Sequence, residues 1–267
     1  MAVLILLPPS EGKAASRSGA PLDLTALSLP VLTPARERVL DALMRLSRAD
    51  REEEAVATLG LSPGQRDEIG RNARLREAPT LPAGRLYTGV LYEALDLATL
   101  SAPARRLANR WILILSALWG AVRLTDRIPP YRCSAGVRLP GVGGLAGYWR
   151  TVMPAALSEA AGKGPVLDLR STPYAGMWVP AGELAGRTAA VRVLHERVVD
   201  GVRRHSVVSH FNKATKGRLV RSLATAGVRP RSTAELVVAL RDLKYTVEER
   251  PGAAGKPRQL DLIVKEL

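Results

Sequence analysis

The sequence is short of several things that carry chemistry elsewhere. It has one cysteine, Cys133, which excludes an intrachain disulfide and a cysteine-rich zinc site. Its three histidines, His195, His205 and His210, lack the spacing of a His-Glu-x-x-His site or of a two-histidine, one-carboxylate iron site. No metal ligand set and no cofactor are therefore expected. Aromatic residues are 4% of the chain and phenylalanine occurs once, so the core must be largely aliphatic. No apolar run approaches the roughly 18 residues of a membrane span. The apolar run at residues 2–7 stops at Pro8-Pro9 and has no basic leader, unlike a signal peptide. A soluble cytoplasmic protein without a membrane partner is expected. The glycine-rich stretch at residues 136–147 holds no Gly-x-Gly-x-x-Gly between a strand and a helix, which rules out a dinucleotide fingerprint there.

What is present is an ordinary globular composition, 46% hydrophobic and 24% charged over 267 residues, ample for a buried core. Its charge is not ordinary. With 39 Lys and Arg against 25 Asp and Glu, the formal net charge is +14. Residues 1–100 hold 12 basic and 13 acidic side chains, whereas residues 101–267 hold 27 and 12. A regional excess of this kind favours a polyanionic partner, nucleic acid ahead of an acidic membrane surface. A coding bias toward arginine is the competing account, and it explains a regional excess less well.

Residues 3–7 form a continuous leucine and β-branched run ended by proline, the pattern of a buried central strand. Residues 111–115, 166–169, 189–194 and 206–211 read as further strands. Thr33-Pro34 opens a helix to about residue 48. Residues 51–59 and 65–75 read as two short helices around Gly60 and Gly64, an ordinary helical hairpin or a weak helix-hairpin-helix signal. Helices are also predicted over residues 91–100, 148–161 and 213–226, the last stopped by Gly227. Ser232-Thr233-Ala234-Glu235 is a capping box that opens another helix to about residue 243. Residues 245–247 and 260–264 suit a terminal hairpin whose turn holds Pro251, Gly252, Gly255 and Pro257. Strands alternating with helices predict a mixed α/β fold. We expect a single compact domain over residues 1–267, with the helical hairpin as an insertion at about 33–76.

The most informative segment runs from Ser209 to Arg218. No acidic residue occurs from 201 to 234. At 100° per residue Lys216 falls inside the apolar stripe of Leu219, Val220 and Leu223, with Lys213 at its edge. A lysine on a core-facing stripe needs a polar partner or a cleft, so a phosphate or carboxylate site is preferred over a solvated face. Between Asp96 and Glu159 the one acid is Asp126, while Arg123, Arg127, Arg132 and Arg138 are interleaved with Trp119, Tyr131 and Trp149. Cations among aromatic rings suit nucleic acid, although each tryptophan alone is better read as core. Cys133 has no histidine near it in sequence and reads as a buried thiol. Glu11, Asp126 and Asp168 are scattered and read as salt-bridge or capping partners.

Taken in order, these motifs resemble a known family. Residues 4–7 with Pro8-Pro9-Ser10-Glu11-Gly12-Lys13, Tyr87-Thr88-Gly89, residues 115–120, Arg123, Asp126, Pro130-Tyr131-Arg132, Gly136, Arg138, Tyr148-Trp149, Ser171 with Tyr174, and residues 213–218 follow the order seen in the YaaA family of peroxide stress resistance proteins. The resemblance implies a compact mixed α/β fold with a basic cleft and a helix-hairpin-helix-like element. It also implies DNA binding and a role in hydrogen peroxide stress linked to limiting free iron, with no accepted reaction. It maps the family's strand-end lysine onto Lys13, its basic strand-to-helix motif onto Lys213, Lys216 and Arg218, its Tyr-Arg pair onto Tyr131-Arg132 and its polar asparagine onto Asn72. The chain reads Pro-Pro-Ser-Glu-Gly-Lys where some members have Ser-Pro-Ala-Lys, and residues 51–75 are its least similar part.

The sequence thus leads to a DNA-binding protein whose phosphate contacts come from Lys13, Arg123, Arg132, Lys213, Lys216 and Arg218, with double-stranded or branched DNA as partner. The alternative is an enzyme acting on a nucleotide, a nucleobase or damaged DNA. Its pocket would be lined by Ser10, Asn72, Tyr87, Asp126, Tyr131, Ser171, Tyr174 and Asn212, and would take a nucleotide-like ligand.

Overall fold

The computed structural model describes residues 2–199, 202–250 and 255–265. The strands of its main sheet are β1 (Leu4–Leu7), β2 (Ile112–Ser116), β3 (Gly120–Arg123), β4 (Val166–Asp168), β5 (Thr188–Val199), β6 (Val202–Ser206), β7 (Thr246–Arg250) and β8 (Arg258–Lys265). Their order is β7-β8-β5-β4-β1-β2-β3, with β6 paired onto β5. The five strands β8, β5, β4, β1 and β2 run parallel. β3, β6 and β7 are antiparallel additions. Central parallel strands are covered on both faces, which explains the unbroken apolar runs: every residue of β1 and β2 is buried.

Helices of six or more residues are α1 (Thr33–Leu46), α2 (Glu52–Leu59), α3 (Asp67–Asn72), α4 (Val90–Leu95), α5 (Ala102–Trp111), α6 (Leu145–Ala161), α7 (Ser209–Ala226) and α8 (Thr233–Asp242). One contiguous core joins β1, β2, α1, α6, α7 and α8, and is mostly Leu, Ile, Val and Ala, with Trp111, Trp119 and Trp149 fully inside it. Two close approaches set its geometry. A Cβ at Gly217 in α7 would lie 2.2 Å from the Leu91 carbonyl oxygen of α4, so only glycine lets these helices meet. Gly120 has φ +72°, and a Cβ there would lie 2.7 Å from the Trp149 ring.

The mixed α/β expectation holds, with local differences. Residues 206–211 were expected to be a strand, but β6 ends at Ser206 and α7 starts at Ser209. Val208 is extended, with φ −111° and ψ 110°, yet its carbonyl already accepts the Asn212 N–H at 2.9 Å, so the helical ladder takes over there. Helix α5 was not anticipated, although Ser101 caps it by accepting the Ala104 N–H and a proline sits in its first turn. The terminal hairpin forms between β7 and β8, while Pro251 and Gly252 of its turn lie outside the described residues.

Parallel order positions the site. From β1 the chain proceeds to β2 on one side, and from β4 to β5 on the other. The carboxyl ends of β1 and β4 therefore flank a topological switch point, where open α/β sheets leave a crevice.

Candidate functional site

The segment leaving β1 is tied into a tight loop. Ser10 Oγ donates to the Gly12 carbonyl at 2.5 Å and accepts the Thr88 N–H at 3.1 Å. Lys13 and Tyr87 then form an antiparallel bridge, with Ala14 N–H donating to Leu86 O at 2.8 Å. This fixes the Lys13 ammonium. It donates to the carbonyls of Ser10 and Glu11 at 3.0 and 3.3 Å, and lies 4.5 Å from the ring centre of Tyr131 and 5.7 Å from that of Tyr87. No carboxylate pairs with it among the described residues. Burial lowers its pKa from 10.5 to about 8, with Glu11 pulling the other way and Arg132 adding to the fall.

The two tyrosines are locked by a buried chain. Tyr87 and Tyr131 share a hydroxyl hydrogen bond of 2.8 Å, Tyr131 meets Ser116 Oγ at 2.6 Å, and Ser116 accepts the Trp119 N–H at 3.1 Å. Burial pushes the Tyr87 phenol up to about 12 and that of Tyr131 well above its ordinary value. Neighbouring Cys133 is buried, and its thiol is likewise pushed up to about 12, so it is neutral at physiological pH. Asn72 is fully buried and clamps the Arg132 backbone, donating to its carbonyl at 2.8 Å and accepting its N–H at 2.9 Å. That clamp aims Arg132 at Glu11, where the ions meet at 2.5 Å.

Together these groups form one wall of a cleft of about 850 Å³ at the carboxyl end of the sheet. Its other wall comes from α3 and the turn that follows, with Glu68, Arg71, Arg74 and Glu77. The charge is mixed. Lys13, Arg71, Arg74 and Arg132 face Glu11, Glu68 and Glu77, and Arg71 pairs with Glu68 at 2.8 Å. Among the described residues, the Arg74 side chain donates to the Gly70 carbonyl, at 3.3 Å, and to no other group. The hairpin behind this wall is internally neutralised: Arg66 pairs with Glu52 and Glu53 at 2.8 Å, and Arg51 pairs with Glu54. At its tip the Ser62 N–H donates to Gln65 Oε1 in a capping box.

Of the residues named from sequence, Lys13, Tyr131 and Arg132 line the cleft, while Tyr87, Asn72 and Ser10 support them. Tyr174 lies beside them, its phenol raised by burial and by Tyr87, Glu11 and Cys133. Ser171 begins the short helix after β4, its carbonyl accepting the Tyr174 N–H at 3.0 Å. Lys216 reaches the same end of the sheet without lining the cleft. Its ammonium donates to Leu169 O at 2.9 Å and Arg170 O at 3.3 Å, and burial lowers its pKa to about 8 against the pull of Asp168. Lys213 and Arg218 are exposed on α7, and Asn212 sits in its first turn.

Arg123 and Asp126 are elsewhere. β3 runs antiparallel to β2 and pairs Arg123 with Leu113, which carries both residues to the amino end of the sheet. Asp126 accepts from Ser28 N–H, Ser28 Oγ and Arg123 N–H at 3.1, 2.7 and 2.8 Å, which makes it a loop cap. Asp168 is held by Arg170 through two contacts of 2.8 and 2.7 Å. Arg71 and Arg74 were not singled out from sequence, because the acids at 52–54, 67 and 68 beside the arginines made that stretch read as an ordinary helical hairpin. Among the described residues, no group of three or more His, Cys, Asp or Glu side chains is placed to hold a metal ion, and no helix is long and apolar enough to cross a membrane.

Comparison with known proteins places this geometry in a family context. A family model described as peroxide stress protein YaaA matches residues 3–250. The chain is similar to a UPF0246 protein of Streptomyces coelicolor, 58% identical over 266 residues that cover 99% of this chain and 100% of that one. A UPF0246 protein of Corynebacterium efficiens is 43% identical over 267 residues, covering 98% and 100%. One from Cereibacter sphaeroides is 30% identical over 208 residues, covering 74% and 80%.

Proposed function

Because the chain belongs to the peroxide stress protein YaaA family, we propose that it acts in the cytoplasm as a DNA-binding protein of the hydrogen peroxide response. Duplex or branched DNA lies across the mouth of the cleft, its phosphates meeting Arg71, Arg74 and Arg132. The observation that carries this reading is the Lys13 ammonium, held beside two tyrosine rings with carbonyls as its partners and, among the described residues, no carboxylate paired with it. A cation so placed has no ion-pair partner among the described residues, and a phosphate supplies one. A cleft of about 850 Å³ is the size of a small-molecule pocket, so it admits an extruded nucleotide rather than a duplex. The excess of basic residues after residue 100 adds long-range attraction. Protection of bound DNA limits oxidative damage, and the family's link to free iron follows indirectly.

Binding of a labelled duplex across a salt series tests this. The Arg71→Ala/Arg74→Ala variant is expected to flatten the slope of log K against log salt by about 1 to 2. An unchanged slope with unchanged affinity would move the DNA elsewhere.

A second reading is favoured by the same lysine. With a pKa of about 8, a sizeable fraction of Lys13 is a free amine near neutral pH. Its nitrogen can attack the aldehyde carbon of an abasic sugar, forming a C=N bond and releasing water. Borohydride would then trap a covalent adduct in the native protein and not in Lys13→Met. No adduct in either would remove the enzyme reading and leave the binding reading intact.

A further inference from the structure

At the opposite end of the sheet lies a second, smaller concavity of about 240 Å³, lined by Ala2, Leu107, Arg110, Trp111, Arg229 and Arg231. Ala2 precedes β1, and Trp111 precedes β2, so this is the amino end. Three guanidinium groups surround it and its lining holds no carboxylate. Most arginines near acids in this chain are paired, as Arg51, Arg66, Arg76, Arg170 and Arg192 are. Among the described residues, the side chains of Arg110, Arg229 and Arg231 form no ion pair and no hydrogen bond. The nearby Glu235 carboxylate is taken up by the Arg231 backbone N–H, and three exposed like charges without an ion-pair partner favour an added anion.

The backbone that carries them is fixed. Pro230 is buried between Arg229 and Arg231 and locks its own φ. Arg231 N–H donates to Glu235 Oε2 at 2.8 Å, and Ser232 caps α8 by accepting the Glu235 N–H at 3.1 Å. Arg123 donates to the Arg110 carbonyl at 2.7 Å, which braces Arg110 and brings a fourth guanidinium to this end. Such bracing lowers the ordering cost of binding. The floor is Trp111, only 1% exposed, an apolar base that weakens solvent screening of a bound charge.

We propose that Arg110, Arg229 and Arg231 form a phosphate-binding site separate from the cleft. Guanidinium forks match phosphate oxygens in pairs, and three arginines around one concavity suit a ligand with several such oxygens. Its ligand is a phosphodiester or oligophosphate, drawn either from a nucleic acid backbone or from a free polyphosphate. The site does not rest on the DNA reading of the cleft.

Calorimetric titration of the full chain with tripolyphosphate tests it. Arg229→Ala/Arg231→Ala is expected to weaken binding at least tenfold, whereas Arg45→Ala, at an exposed arginine outside both concavities, leaves it unchanged. No tripolyphosphate binding, or binding indifferent to Arg229→Ala/Arg231→Ala, overturns the proposal. Arg110→Gln, which leaves the capped segment untouched, must weaken binding too. With duplex DNA, a flatter salt slope in Arg229→Ala/Arg231→Ala assigns the site to nucleic acid backbone. Loss of tripolyphosphate binding with an unaltered DNA slope assigns it to a free oligophosphate.

Discussion

Stability should rise between pH 7 and pH 9, and two lysines set the size of the rise. Lys13 and Lys216 each titrate at about 8 in the fold, against 10.5 in an open chain. Between those values the unfolded state binds more protons, so the free energy of unfolding increases with pH. Integration from pH 7 to 9 gives about 1 kcal/mol per lysine, or roughly 2–3 kcal/mol for both. Cys133 opposes this, because its thiol is raised from 9.0 to about 12 and the unfolded chain ionises first. That opposing contribution stays well under about 1 kcal/mol by pH 9. The buried tyrosines, raised in the same sense, act chiefly above pH 10. The net gain is about 2 kcal/mol, read as a shift in urea midpoint at constant m-value. Lys13→Met and Lys216→Met should each remove roughly half of the two-lysine gain. A flat or falling profile from pH 7 to 9, or a rise untouched by either substitution, would refute the burial argument.

Three further substitutions probe the scaffold. Arg36 is fully buried, and its guanidinium donates to the carbonyls of Trp119, Ala121 and Ser28 at 3.0, 2.7 and 2.8 Å. Arg36→Met strands those acceptors and should cost about 3–5 kcal/mol in urea denaturation. Asn72→Ala leaves the Arg132 N–H and C=O without their partner, and should cost about 2–4 kcal/mol while also weakening any ligand that needs Arg132. Gly217→Ala drives a methyl into the Leu91 carbonyl, and should lower stability by about 3 kcal/mol or more. The same size change at exposed Gly70 in α3, Gly70→Ala, where nothing crowds the added carbon, should be tolerated in the same assay.

Much of this architecture was legible in the residues. β1 and β2 are runs that no half-exposed strand would carry, and Lys216 declared itself by interrupting an apolar stripe. The same test would have found Arg36, which sits among Val39, Leu40 and Leu43 on the buried face of α1. Arg123 and Asp126 were misassigned to the cleft because spacing along the chain does not reveal strand direction. Only the antiparallel turn from β2 into β3 sends them to the far end. Arg71 and Arg74 were hidden by the acids around them, since pairing within a helix and facing a cleft look alike in one dimension. The Asn72 clamp on Arg132 spans 60 positions in sequence, and no local pattern encodes such a contact.

The cleft as the DNA-facing surface is the central claim, and Lys13 reports on it directly. Reductive methylation read by mass spectrometry would measure the reactivity of Lys13 with and without saturating duplex DNA at pH 8, using exposed Lys213 as the internal comparison. The account predicts fast methylation of Lys13 in the free protein and strong protection when DNA is bound. DNA bound at saturation with Lys13 reacting as fast as before would contradict it.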